Sequence, residues 1–377
     1  MLTRETRQHD FPALSDMTYL NTAAEGIPPQ AVGEALQRYI RDKQQGMDGR
    51  EAHFAQWDAA KTLVGQLYGL SAAEVSICSC SSEAYNLAAL ALRLREGDEV
   101  VINDLDFPAG ATPWLQAGSP AQVKIWRNRG GALRVEDLAA QIGAKTRLVT
   151  VSLVSFFNGF MLRLPEVIAT VRKHSPALVA VDVTQALGRV PLDLEGADLI
   201  VSSTHKWILA THGGGLVGVP AHRAGQWTVP AGGWFNLDDA FGPARFERAV
   251  SRPGAASFTV GMPNFPAVYA IRAALDFIQS VGIDAIDRSA RPLVLACLEE
   301  LTKLPVDLLT PNEPEHVAGI LAFRHARADA IHKHLHSKQI HVMSHAGRLR
   351  VALHGYNTMD DVERFLSELC EALRMVG

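Results

Sequence analysis

Short runs of mainly apolar residues alternate along much of the chain with longer segments in which apolar residues recur every three or four positions. The runs Leu178–Val181 and Ala197–Val201 are too short for helices and are typical of strands buried on both faces of a parallel sheet. The segments Pro29–Met47 and Leu164–His174 show helical spacing instead. This alternation of strands and helices predicts an α/β fold with a mainly parallel sheet.

The same criteria predict the other elements of this region: helices at Glu51–Leu70, Leu87–Leu94 and Val135–Ile142, and strands at Val75–Cys78, Glu99–Ile102, Val123–Trp126 and Thr146–Val154. Residues 226–261 are rich in glycine, proline and aromatic residues and are predicted to form a long functional loop. The pattern then indicates a second domain with helices at Pro263–Val281, Ile286–Leu304, Ala328–Ser337 and Met359–Met375, and strands at Gly319–Phe323 and Arg348–Leu353.

Polar side chains follow two neighbouring strands of the predicted sheet. Asp182 comes directly after Leu178–Val181, and Lys206 comes shortly after Ala197–Val201. Because ligands of such sheets gather at the carboxyl ends of the strands, we expect both side chains to face one crevice. An ordinary ion pair is the alternative. However, a lysine in an apolar crevice has a lowered pKa and can attack a carbonyl carbon as an amine.

An aldehyde cofactor with a pyridine ring needs a lysine, an acid for the ring nitrogen and a site for its phosphate. Lys206 and Asp182 supply the first two features. The small polar turn at residues 80–86 leads into a helix, and the free N–H groups and dipole of a helix N-terminus attract anions. Ser81 and Ser82 are therefore the candidate phosphate contacts. A plain N-cap at either serine is the simpler interpretation, and the two are compatible.

The motif Asp182-x-x-Gln185-x-x-Gly188, followed by Ser203-x-His205-Lys206-Trp207, resembles the pyridoxal-phosphate (PLP) segment of the class V aminotransferases. That family includes the cysteine desulfurases and the isopenicillin N epimerase-like enzymes. The resemblance extends from Tyr19-Leu20-Asn21 to the C-terminus. It implies a fold type I PLP-dependent transferase, with a mainly parallel sheet of the seven-stranded type in a large PLP-binding α/β domain. That domain is expected at residues 16–262, and a smaller α+β domain at residues 1–15 and 263–377.

The resemblance also implies roles for individual residues. Lys206 would form the Schiff base with PLP and, once released, would carry protons between cofactor and substrate. Asp182 would keep the ring nitrogen protonated. Arg350 would bind the carboxylate of the amino-acid substrate, and Asn21 would lie on the substrate side. The remaining cofactor contacts are expected from Ser81, Ser82, Phe107, Asn158, Gln185, Ser203 and His205.

This chain departs from the family pattern at several positions. Phe156 occupies the place of an asparagine that contacts the ring hydroxyl in desulfurases, which leaves Asn158 or Ser155 for that contact. Met262 occupies the place of a threonine that donates to the phosphate of the partner subunit, which leaves Thr259.

Two further features concern the ring and the substrate. Phe107 stands where desulfurases carry histidine, as in the epimerase-like branch, and its flat ring would stack on the pyridine. A core phenylalanine is the alternative. Arg348 lies two residues from Arg350, so both arginines share one face of the predicted strand.

The function expected from these residues is that of a PLP-dependent class V aminotransferase acting on an amino acid. A cysteine-independent C–S lyase, an epimerase and a catalytically silent PLP-fold binding protein are the alternatives. Persulfide-forming desulfuration is disfavoured because no cysteine lies between Gly319 and Arg350. A nucleotide-binding enzyme is disfavoured because the glycine run at residues 213–215 lacks the spacing of a phosphate loop.

Composition narrows the class of protein further. The 377 residues carry a formal net charge of −4, which gives no reason to expect nucleic acid or an anionic membrane as a partner. The N-terminal residues lack an apolar signal core, and the four cysteines are too few for a disulfide framework, so a reducing cytoplasm is expected. No metal is expected: His332 and His336 share a helix face, which would allow metal binding, but no carboxylate or cysteine is expected to complete a ligand set. A homodimer is implied by the family resemblance.

Overall fold

The computed structural model describes residues 4–116 and 118–376. The helices are α1 Arg4–Asp10, α2 Gln30–Lys43, α3 Arg50–Tyr68, α4 Ser81–Leu92, α5 Pro108–Leu115, α6 Val135–Ala139, α7 Leu164–His174, α8 Phe265–Val281, α9 Ile283–Leu301, α10 Ala328–Ser337 and α11 Met359–Val376. Within the described residues, no helix combines the length and the apolar character needed to cross a membrane.

The strands form one large sheet, one smaller sheet and two short pairs. They are β1 Thr18–Tyr19, β2 Val75–Cys78, β3 Glu99–Asn103, β4 Gln122–Trp126, β5 Thr146–Ser152, β6 Leu178–Asp182, β7 Leu199–Ser203, β8 Gly215–Gly218, β9 Leu237–Asp238, β10 Val250–Ser251, β11 Asp307–Leu308, β12 Ile320–Arg324, β13 Ile340–His341, β14 Met343–His345 and β15 Arg348–Ala352.

The large sheet has seven strands in the order β2-β8-β7-β6-β5-β3-β4. Strands β7, β6, β5, β3 and β4 are parallel neighbours, and β8 runs antiparallel to both β7 and β2. The mainly parallel seven-stranded sheet predicted from the sequence is therefore confirmed. Strand β8 was not predicted, because it is only four residues long and two of them are glycines.

Both faces of this sheet are buried. Along β6, Val179 and Val181 belong to one apolar cluster, whereas Leu178 and Ala180 belong to the cluster on the other face. This alternation follows from the strand period of two. It explains why these runs are continuously apolar rather than alternating.

The smaller sheet is antiparallel, in the order β11-β12-β15-β14, and packs on α9, α10 and α11 through its own apolar cluster. Helix α8 packs against α2 and α3, and its buried residues, such as Val268 and Ile271, belong to a core cluster of the large sheet. The domain boundary expected at residue 262 stays a prediction, but this packing associates α8 with the large sheet.

Arg189 connects the large sheet region to the smaller one. Its fully buried guanidinium pairs with Asp287 at 2.8 Å. It also donates to the carbonyl oxygens of Leu353 and Ala318. Replacing Arg189 by methionine is expected to lower the free energy of unfolding by about 3–5 kcal/mol, because a carboxylate and two carbonyls then lose their partner. Chemical denaturation measures this change.

Arg147 offers a matched control on the surface. Its guanidinium pairs with Asp98 at 2.9 Å but is 42% exposed, so Arg147→Met is expected to cost no more than about 1 kcal/mol. Equal costs for the two variants would contradict the role of Arg189 as a buried connection between the two sheet regions.

Candidate active site

The carboxyl ends of β6 and β7 border a cavity of about 180 Å³. Asp182 is the last residue of β6 and pairs across the sheet with Val201 of β7, so polar residues that follow both strands meet at one edge. The cavity is lined by eight of the residues predicted from the sequence: Ser81, Ser82, Phe107, Asp182, Gln185, Ser203, His205 and Lys206.

Lys206 lines this cavity and is almost completely buried. Burial lowers the pKa of its amine from the ordinary lysine value to about 8, with the nearby charge of Arg350 lowering it further and that of Asp182 opposing the change. Its Nζ lies 5.0 Å from the centroid of the Phe107 ring. A larger share of the amine is therefore neutral near physiological pH than in an ordinary lysine, and only the neutral amine is a nucleophile.

Asp182 is the buried acid of the site. Its Oδ1 accepts a hydrogen bond of 2.8 Å from the backbone N–H of Thr184. Burial raises the pKa of Asp182, while the Thr184 hydrogen bonds and the charge of Lys206 act in the opposite direction. A cationic partner would stabilise the carboxylate of Asp182 in this position, because an unpaired buried charge is costly.

Hydroxyl groups gather at the N-terminus of α4. Ser81 and Ser82 are the first two residues of this helix, and the Ser81 hydroxyl lies 3.0 Å from that of Ser203. The first N–H groups of a helix have no intrahelical acceptor, so this end fits a phosphate. The helix begins six residues earlier than expected, and its N-cap is Cys80, whose Sγ accepts from Glu83, rather than a serine.

Gly215 allows strand β8 to lie close to the turn before α4. A Cβ at that position would lie 2.4 Å from the backbone of Cys80, so only glycine lets β8 pass beside the turn that precedes α4. Ser203 is paired with Gly215 across the sheet, which fixes its hydroxyl near Ser81.

His205 lines the cavity and stacks on His212, with ring centroids 4.1 Å apart. Burial is the main reason that the pKa of His205 falls to about 4, and the charges of Lys206 and His212 lower it further. His212 in turn contacts Glu25 at 3.0 Å. His205 is thus a neutral hydrogen-bonding group near neutral pH.

Phe107 is not a core residue, because 42% of its surface is exposed. Its ring meets the Phe156 ring edge to face, with centroids 5.0 Å apart. Both residues line the cavity, so this pair forms an aromatic wall beside Lys206.

Two amides expected to contact the cofactor have partners within the protein. Gln185 lines the cavity, but its Nε2 donates to the carbonyl of Ala23 and its Oε1 accepts from Trp207. Gln185 still has a second N–H to offer a ligand.

Asn158 does not line the cavity. Its Nδ2 donates to the carbonyls of Gly131 and Leu309, and its Oδ1 accepts from the N–H of Phe160. These bonds connect the loop after β5 to the segments before α6 and before β12, and they occupy both N–H groups of the Asn158 amide. The expected cofactor contact of Asn158 stays a prediction, and these intramolecular hydrogen bonds do not support it. Ser155, the alternative, donates to the carbonyl of Leu105.

The expected substrate residues lie together beside the smaller sheet. Arg350 is 3% exposed, and its Nη1 donates to the carbonyl of Phe156 at 2.8 Å. Its Nε is buried without a partner. Asn21 forms a bridge with Ala352, two residues beyond Arg350, and its Oδ1 is also buried without a partner. Unpartnered buried groups of this kind fit a ligand.

Sequence reasoning missed two polar residues near the site. Thr184 holds Asp182 through its N–H, and its hydroxyl accepts from the N–H of Ser203. The position of Thr184 between Asp182 and Gln185 is the sequence feature that could have identified it as a site residue. Asp106 is half-buried and accepts from the N–H of Ser152, and desolvation of its carboxyl group raises its pKa to about 7. The sequence around Asp106 contains no motif that would have marked this residue as part of the site.

Two other expectations change with the structure. The Thr259 hydroxyl donates to the carbonyl of Ile77 and contacts Ser76, so it is not free to replace the threonine missing at Met262. His334 of the histidine-rich helix α10 has a carboxylate partner, because Glu368 of α11 lies 2.8 Å from its ring. The two residues are 34 positions apart, so the sequence did not indicate this contact.

The donor set of the cavity fits PLP. The described residues supply a buried amine with a lowered pKa for the aldehyde, a buried acid for the ring nitrogen, and helix N–H groups with serine hydroxyls for the phosphate. The residues that would hold PLP are Lys206, Asp182, Ser81, Ser82, Ser203 and His205.

Covalent capture of PLP by the apoprotein is expected to become faster as the pH rises, with a midpoint at about pH 8 and a plateau above it. Only the neutral amine attacks an aldehyde, and an unperturbed lysine would need a pH above about 10.4. Stopped-flow absorbance after mixing apoprotein with PLP measures the rate constant at each pH.

Asp182→Asn provides the matched control for this profile. Because the charge of Asp182 raises the pKa of Lys206, its removal is expected to move the midpoint to lower pH. A wild-type midpoint near that of free lysine, or an upward shift in Asp182→Asn, would contradict the electrostatic account.

Comparison with known proteins gave consistent matches over nearly the whole chain. The family model described as Aminotransferase class-V matches residues 18–365. An uncharacterized aminotransferase, YcbU, of Bacillus subtilis is 26% identical over 95% of both chains. A probable cysteine desulfurase of Pyrococcus abyssi is 25% identical over 98% of both chains. The apo structure of the cysteine desulfurase from Thermococcus onnurineus is similar in fold, with a TM-score of 0.90 at 21% identity over 100% of this chain and 99% of that one.

Proposed function

Because this chain belongs to the class V aminotransferase family, a family of PLP-dependent enzymes, we propose that it transfers the amino group of an amino-acid substrate with PLP held on Lys206. The observation that carries the proposal is the meeting of Lys206 and Asp182 at one cavity, with the serine hydroxyls of the α4 N-terminus at the same cavity. Bound PLP supplies an electron sink for negative charge that develops at the α-carbon of the amino acid.

The side chains of the cavity would perform the proton transfer and hold the cofactor. Lys206 would take the proton from the α-carbon of the substrate, because its lowered pKa of about 8 leaves a substantial share of the amine neutral near that pH. Asp182 would hold a proton on the ring nitrogen through charge pairing. Ser81, Ser203 and the α4 N-terminus would bind the phosphate.

Arg350 would bind the carboxylate of the substrate. A guanidinium offers two parallel N–H groups to a carboxylate, and its unpartnered Nε supports this role. The aromatic wall of Phe107 and Phe156 would flank the ring and exclude water from it.

The reaction itself is tested by product analysis. With an amino acid and a keto acid supplied, transamination yields a new amino acid and a new keto acid. Ammonia with pyruvate would instead indicate β-elimination, and loss of optical rotation without either product would indicate epimerisation. Release of ammonia or racemisation in place of amino transfer would contradict the proposal.

The homodimer and the cytoplasmic location expected from the sequence are also part of this proposal. Support for the dimer comes from residues 226–261, where Phe241 and Phe246 are 76% and 89% exposed in the single chain. Large exposed aromatic side chains are typical of surfaces that associate. A mass in solution of a single chain would contradict the dimer.

A further inference from the structure

One face of β15 carries two buried arginines. Arg348 and Arg350 are 5% and 3% exposed, and they lie two residues apart, on the same face of the strand. The intervening Leu349, like Val351, points to the other face and joins the core of the smaller sheet. The two guanidiniums therefore lie on the side of the sheet away from that core.

The neighbouring strands add further basic groups to this face. Arg324 of β12 is directly opposite Arg348, and His345 of β14 is opposite Arg348 on its other side. Like charges placed directly opposite in a sheet are destabilising. Asp307 of β11 is opposite Arg324 but lies beyond ion-pair distance. The arrangement concentrates positive charge without balancing it.

The two buried guanidiniums contact only neutral groups of the described protein. Arg350 donates to the carbonyl of Phe156, and Arg348 donates to that of Phe157. The Arg348 guanidinium also lies over the Phe157 ring, 4.3 Å from its centroid. Among residues 4–116 and 118–376, neither arginine has a carboxylate within 4.0 Å, and the Nε of Arg350 has no partner.

Burial and the repulsion between neighbouring positive charges lower the pKa of both guanidiniums. The pKa of Arg350 falls to about 10, mainly through burial and then through the charge of Arg348. The pKa of Arg348 also falls to about 10, through burial and the charge of Arg324. Two adjacent buried cations without an anion are costly, unless a ligand supplies the negative charge.

This pair lies next to the candidate active site. Phe156, whose carbonyl binds Arg350, lines the cavity and touches the ring of Phe107. The charge of Arg350 is near enough to lower the pKa of Lys206. Arg348 is adjacent, with its guanidinium 5.6 Å from the Phe156 ring centroid. Both arginines therefore lie beside Phe156, at the aromatic wall of the candidate active site.

We propose that Arg348 and Arg350 together bind a substrate with two anionic groups, an amino acid whose side chain ends in a carboxylate. The inference rests on the proposed function, in which Arg350 binds the α-carboxylate. Arg348 then binds the carboxylate of the side chain and determines specificity. The spacing agrees, since alternate residues of a strand lie about 6.6 Å apart, comparable to the span of a short dicarboxylic acid.

Binding of inert acids to the PLP-loaded protein tests this assignment by calorimetry. Glutarate and valerate have the same number of carbons, but only glutarate has a second carboxylate. Wild-type protein is expected to bind glutarate at least about tenfold more tightly, a difference of about 1.4 kcal/mol. In Arg348→Gln that preference is expected to disappear, while the affinity for valerate changes by less than about threefold. A third probe, 4-phosphonobutyrate, distinguishes a carboxylate from a phosphate-type side chain and is expected to bind less tightly than glutarate.

Controls separate specificity from a structural role of Arg348. Arg348→Lys keeps the charge but not the paired N–H groups, so it is expected to keep part of the preference and remains informative if Arg348→Gln does not fold. Arg324→Gln, at an exposed position, is expected to change the preference less than about threefold. Equal affinity of the wild type for glutarate and valerate, tighter binding of 4-phosphonobutyrate, or an equal loss of both acids in Arg348→Gln would overturn the assignment.

The outcomes also distinguish this inference from the proposed function. A protein that does not take up PLP contradicts the proposed function itself. A protein that holds PLP and transfers amino groups from norvaline as well as from glutamate keeps the function and loses only the assigned substrate class.

Discussion

Replacing Lys206 by alanine is expected to lower kcat/KM for the amino-acid substrate by at least about 10⁴-fold. The substitution removes both the amine that attaches PLP and the group that moves the proton at the α-carbon. No other lysine lines the cavity as described. The measurement is steady-state turnover with the best donor and acceptor pair from the product screen.

Lys173→Ala is the matched control, because Lys173 is an exposed lysine near the end of α7. It is expected to keep wild-type turnover. Because Lys206 is buried, folding of the Lys206→Ala variant is checked by its thermal transition. More than about one hundredth of wild-type turnover in a folded Lys206→Ala protein would be incompatible with a catalytic role of this residue.

Asp182→Asn is expected to lower kcat by about 10²-fold or more while PLP still binds. Asparagine has nearly the same shape, but its neutral amide cannot hold a proton on the ring nitrogen by charge pairing. The electron sink is then weaker, so removal of the α-proton slows. The measurement combines the visible absorbance of bound PLP with the rate of keto-acid formation.

Asp193→Asn is the corresponding control, since Asp193 is an exposed aspartate in the same region of sequence. Its turnover is expected to match the wild type. If Asp182→Asn lost PLP but retained its turnover per bound PLP, Asp182 would be a binding residue only.

The sequence predicted the parts of the site that depend on local pattern. The apolar run of β6 ends in Asp182 with the expected bounds nearly unchanged, and α7 and α10 match their predicted ranges. These elements are buried in a regular way, so the spacing of apolar residues is sufficient to place them. The polar residues after β6 and β7 meet because parallel strands share one edge.

Other features depend on contacts between distant residues. Helix α8 could not be associated with the large sheet, because its apolar residues fit either domain and only its packing on α2 and α3 decides. Asn158 resembled a ring contact by position, but the carbonyls of Gly131 and Leu309 take its amide. The N-cap of α4 is a cysteine, a residue type that capping preferences do not favour.

The surroundings of Arg348 and Arg350 were also only partly predictable from the sequence. The sequence placed Arg348 and Arg350 on one strand face, but it did not indicate that Arg324 is opposite Arg348 or that carboxylates are missing around them. Those facts depend on strand register and on the chain that packs over the sheet.

Borohydride reduction of the PLP-loaded protein, followed by peptide mass mapping, tests the central claim most directly. The account predicts that a visible absorption band disappears on reduction and that one PLP-sized addition maps to Lys206. A protein that stays colourless with added PLP, or an addition located on another lysine, would contradict the account.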